Sequence, residues 1–143
     1  MNINVIGIII CLLFIVPVFV VPVGADPGAQ LEIKIFGGLP IPIFFHQVGG
    51  AISNVGNTTA YNVSYLLTVQ GGILGAIDES LEGYEDEILS QNALGVSLRG
   101  TYGFGPVTIT LTASAANAEN VTGSARGFQL REFTWVPFSW ITP

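Results

Sequence analysis

The stretch Val107-Thr108-Ile109-Thr110-Leu111-Thr112-Ala113 alternates apolar and polar residues without a break. Successive side chains of a β-strand point to opposite faces. Val107, Ile109, Leu111 and Ala113 are therefore expected on a buried face, with the three threonines in solvent. A helix would need a period of about 3.6 residues to bury one face, and this pattern does not supply it. The same alternation recurs upstream, where Tyr61, Val63, Tyr65, Leu67 and Val69 are expected inward and Asn62, Ser64 and Thr68 outward, with Leu66 as the exception. Leu31, Ile33 and Ile35 mark a first strand, and Leu94, Val96 and Leu98 another. Gly127 to Val136 reads as a closing strand through Phe128 and Leu130, with the rings of Phe133 and Trp135 completing the core or covering an open end.

Turn-forming residues separate these runs: Gly37-Gly38-Leu39-Pro40, Asn54-Val55-Gly56-Asn57, Gly71-Gly72, Gly103-Phe104-Gly105-Pro106 and Asn117-Ala118-Glu119-Asn120. Short strands at a spacing of about ten residues, with no helical period between them, predict an all-β fold, an antiparallel β-sandwich of about seven strands. Pro40 and Pro42 cannot donate to a central ladder, so Ile41 to Phe45 is expected at a sheet edge or where a strand changes sheets.

The segment Ile52-Ser53-Asn54-Val55-Gly56-Asn57-Thr58-Thr59-Ala60-Tyr61-Asn62-Val63-Ser64 resembles the N-x-G-N-x-x-A-x-N-V signature of immunoglobulin-like domains of the CARDB type, found in archaeal and bacterial exported and surface proteins. Gly71-Gly72-Ile73, Gly103 to Ile109 and Gly127-Phe128 are similar to segments of such domains. The likeness covers roughly residues 48 to 130 and implies an immunoglobulin-like sandwich, with no ligand implied. In physical terms, Asn and Gly suit a tight turn and an Asn side chain bonds nearby backbone.

Outside this region, Val5 to Val21 form an uncharged apolar run, followed by Val23 and Ala25 at a spacing that suits signal-peptidase cleavage after Ala25. Residues 1–25 are expected to be a cleavable signal peptide or, since about 17 apolar residues is marginal for spanning a membrane, an uncleaved anchor. Either places residues 26–143, one domain with an aromatic C-terminal tail, outside the cytoplasm. Cys11 is the only cysteine, so residues 26–143 contain no disulfide and rely on core burial. With 4 Lys and Arg against 10 Asp and Glu the net charge is −6, which argues against a nucleic-acid partner.

Three sequons, at Asn57, Asn62 and Asn120, are candidate glycosylation sites, expected in turns for Asn57 and Asn120 and on an outward strand face for Asn62. Asp78, Glu79, Glu82, Glu85, Asp86 and Glu87 read as a solvated, mutually repelling loop that could offer oxygen ligands to Ca²⁺, though at a spacing that matches no EF-hand loop. His46 is the only histidine, which leaves zinc without a ligand set and a serine nucleophile without further choice of base. Phe138 and Trp140 in the tail are candidates for a contact patch on a partner or a membrane surface. No catalytic residue, metal or cofactor is assigned. The expectation is a non-enzymatic exported domain serving envelope structure or adhesion by binding a surface protein or glycan. The alternatives are a secreted carbohydrate-active or other hydrolase using acidic residues, and a membrane-tethered domain with a Ca²⁺-binding acidic loop.

Overall fold

The computed structural model describes residues 28–37 and 47–137. The leader, the Pro40 and Pro42 segment, His46, Phe138 and Trp140 lie outside the described residues. Within them the chain forms eight strands: β1 Leu31–Phe36, β2 Gln47–Asn54, β3 Ala60–Gly71, β4 Ile77–Ile88, β5 Ala93–Arg99, β6 Gly103–Ala115, β7 Ala118–Arg131 and β8 Phe133–Trp135. A single 3-10 turn, Ile73–Gly75, joins β3 to β4. Hydrogen bonding gives two antiparallel sheets, one ordered β1-β2-β5 and the other β4-β3-β6-β7-β8. Consecutive strands change sheet at β2 to β3, β4 to β5 and β5 to β6.

The core lies between the sheets. Val63, Leu67, Val69, Ile109, Leu111 and Ala113 come from the larger sheet and Leu31, Ile35, Val48, Ile52, Val96 and Leu98 from the smaller. Each of the larger aliphatic side chains contributes about 1.5–3 kcal/mol on burial. The alternation at Val107 to Ala113 is the inward row of β6, as expected. β1 and β5 likewise bury the expected faces, with Ile33 and Leu94 packed at the margin.

Four details depart from the sequence reading. In β3, Ala60 and Val63 are both fully buried while Tyr61 is 50% exposed. The period resets at Asn62, whose φ of 53° lies in the left-handed region that Asn tolerates better than most residues. Gly103 to Pro106 is no turn but the start of β6. Gly105 there has a φ of 121°, and a Cβ at this position would sit 2.8 Å from the Ile73 nitrogen, so the glycine lets the 3-10 turn close on the strand. Pro106 is tolerated because β3 ends opposite Val107, leaving β7 as its ladder partner. Asn120 lies within β7, since the β6–β7 turn is already complete when β7 starts at Ala118. Finally, the acidic run forms β4 and is not a loop.

The turn after β2 is built around Asn54, which is fully buried. Its Oδ1 accepts from the backbone nitrogens of Gln30 (3.2 Å) and Gly56 (3.1 Å). Its Nδ2 donates to the carbonyls of Thr58 (2.8 Å) and Ile88 (3.0 Å). One side chain thus ties the chain entering β1, its own turn and the end of β4 together. Gly56 is required beside it because a Cβ would lie 2.1 Å from the Gly28 carbonyl oxygen. Asn117 plays a similar part at the same end of the domain, donating to Thr59 O (2.8 Å) and accepting from Tyr61 N (3.0 Å).

Candidate functional site: an aromatic groove on the larger sheet

Residues directly opposite one another in antiparallel strands share a face. Across the larger sheet this places Phe104, Leu130 and Phe133 in one row and Pro106, Phe128 and Trp135 in the next. One step further along lies a polar row, Asp78, Gln70, Thr108 and Arg126. All three rows are on the face turned away from the core, because in β7 it is Ala125, Gly127 and Gln129 that are buried. The closing strand therefore has the opposite parity to the one its aromatics suggest. Phe128 is 38% exposed and Trp135 58% exposed, so the rings do not complete the core.

Gln129 explains how this is tolerated. Fully buried, it donates through Nε2 to the carbonyls of Thr101 and Arg131, both at 2.9 Å, and accepts at Oε1 from the buried Thr134 hydroxyl. Thr134 is the inward residue of β8, so the same bond seats β8 on β7 and turns its neighbours Phe133 and Trp135 outward. Arg131, with φ 58°, makes the tight reversal between the two strands. Phe104 and Phe128 meet edge to face, with ring centroids 5.2 Å apart at 86°.

The rows border a groove of about 1030 Å³. Pro106, Phe128 and Trp135 line it, Gly72 and Gly75 of the 3-10 turn lie along another part of its rim, and Gln70 and Arg126 stand at its polar end. Gln70 Nε2 donates to Asp78 Oδ1 at 3.0 Å. Arg126 is in no ion pair among the described residues. Elsewhere the outer face carries hydroxyl pairs, Ser64 with Ser114 (2.8 Å apart) and Thr112 with Thr122 (3.2 Å apart), beside the exposed Leu66 and Tyr84. An apolar groove with a few convergent polar groups, set in such a face, is the general form of a ligand site.

The six carboxylates do not converge. Asp78 and Glu82 stand opposite Gln70 and Leu66 on the outer face and Glu87 stands opposite the exposed Tyr61, whereas Glu79 and Glu85 stand opposite the buried Val69 and Val63 on the other face. Among the described residues no group of three or more His, Cys, Asp or Glu is placed to hold a metal. The charge instead lines the open edge of the larger sheet, where it discourages pairing with another chain. Of the sequons, Asn57 lies in an exposed bend, Asn120 is exposed on β7, and Asn62 is exposed while accepting from the Tyr84 hydroxyl at 2.6 Å.

No protein-family model, curated protein or solved structure matches this chain. The fold and the groove define it as an all-β domain of two antiparallel sheets with one aromatic face.

Proposed function

We propose that the protein is an exported, non-enzymatic binding module of immunoglobulin-like type, acting in envelope structure or adhesion through the aromatic groove. The strand order supports the fold assignment: β1-β2-β5 facing β4-β3-β6-β7 follows the two-sheet, Greek-key arrangement of immunoglobulin-like sandwiches. β8 is then an added edge strand. The likeness of residues 52–64 to CARDB-type domains agrees with this, and the apolar leader supports export. The observation that carries the functional reading is the clustering of Phe104, Phe128, Leu130 and Trp135, each more than a third exposed, on one patch of the larger sheet's outer face. Clustered exposed apolar residues of this kind usually mark a contact surface.

The test is co-sedimentation of the full-length chain with the host's envelope fraction, run beside W135A and F128A. Saturable binding that both substitutions weaken, with melting unchanged, is expected. Binding that neither substitution affects, or turnover on a broad hydrolase panel lost on replacing one carboxylate, would refute the reading.

A further inference from the structure

We infer that the aromatic groove is a binding site for a neutral oligosaccharide; this deepens the binding-module reading above and rests on it. A pyranose ring is two-sided in its chemistry. Its C–H face stacks on an aromatic ring, where the negative π-face meets weakly positive hydrogens, and its hydroxyls radiate from the edge. The groove offers both halves in adjacent rows. Pro106, Phe128 and Trp135 stand on three neighbouring strands. With strands about 4.8 Å apart, they extend over about 10 Å, room for about two sugar rings.

The neighbouring row supplies hydrogen-bonding groups of mixed sense. Of the side chains lining the groove, Gln70 and Thr108 both donate and accept and Arg126 only donates, while Asp78, one strand beyond, accepts from Gln70 Nε2. Hydroxyls also donate and accept, so a sugar edge can satisfy every member of such a row. A proline-rich peptide offers carbonyl acceptors but few donors. The chain's net charge of −6 disfavours acidic glycans over the whole surface. Arg126, in no ion pair among the described residues, is available to a ligand at the polar end. The glycines at 72 and 75 let a ligand come close to backbone on the rim.

The experiment uses the full-length chain and the variants F128A, W135A and R126Q against an array of short neutral hexose oligosaccharides, with acidic oligosaccharides and proline-rich peptides on the same array. Positives are quantified by calorimetry. At least one neutral oligosaccharide is expected to bind, more tightly as it lengthens, with about tenfold weaker binding in W135A and F128A. R126Q is expected to weaken the same ligand while leaving the melting temperature unchanged. Binding of peptides or acidic oligosaccharides alone overturns the inference, as does neutral-sugar binding that the three variants leave untouched. If envelope binding depends on Trp135 yet no neutral oligosaccharide binds or competes, the sugar assignment is wrong and the binding-module reading stands. If envelope binding itself is absent, both fall.

Discussion

Replacing Asn54 by alanine removes one buried side chain and strands four backbone groups. The nitrogens of Gln30 and Gly56 lose their acceptor, and the carbonyls of Thr58 and Ile88 lose their donor. The bonds to Gly56 and Ile88 are in buried surroundings, and those to Gln30 and Thr58 are partly buried. A buried polar group left unpaired costs about 1–3 kcal/mol. Counting the two buried groups fully and the other two at a fraction, because water reaches them, gives a loss of about 3–5 kcal/mol. Against a usual domain stability of about 5–15 kcal/mol this is a large share. At about 4–8 °C per kcal/mol for a domain near this size, the melting temperature should fall by about 12–40 °C. Urea unfolding followed by circular dichroism measures it, with N120A, an exposed asparagine on β7, as a control expected to stay within about 0.5 kcal/mol. An N54A protein within about 1 kcal/mol of the parent would refute the view that this residue organises the turn.

Further outcomes follow from other parts of the structure. Q129A should cost about 2–4 kcal/mol by leaving the Thr101 and Arg131 carbonyls and the Thr134 hydroxyl unpaired, and hydrogen exchange should show β8 loosened before the rest of the larger sheet. G83V should destabilise by about 1–3 kcal/mol, read from the urea midpoint, because a Cβ there would lie 2.1 Å from the Tyr65 phenol. Replacing Glu79, Glu85 and Glu87 together by valine should leave the fold intact but produce concentration-dependent light scattering, since those carboxylates guard the open edge of β4. Ca²⁺ should leave the melting temperature unchanged, because the acidic side chains are divided between two faces; a rise that grows with ion concentration would show a site.

Where a strand's inward positions are aliphatic, its face could be read directly from the alternation. That holds for Val107 to Ala113, Leu31 to Ile35 and Leu94 to Leu98. In β7 the inward positions are Ala125, Gly127 and Gln129, and the outward ones include Phe128 and Leu130. Hydrophobicity then points the wrong way, and with a period of two a one-residue error exchanges the faces. The aromatic groove was hidden for this reason. A signal was present in Arg126, which shares parity with Phe128 and Leu130 and sits poorly in a core. The charge of β4 suggested a loop because only Ile77, Leu81, Gly83 and Ile88 are buried or half-buried, too few for a visible period. The Asn54 turn was legible as a turn. Its importance was not, since the partners at Gln30 and Ile88 are distant in sequence.

The claim that the partner docks on the outer face of the larger sheet is tested most directly by mapping backbone amide shifts as the full-length chain is titrated with solubilised envelope material. Shifts centred on Phe104, Arg126, Phe128, Leu130 and Trp135 are predicted. Shifts confined to the Asn54 turn and the β6–β7 turn, at the end of the domain where Asn54 and Asn117 tie the strands together, would contradict it.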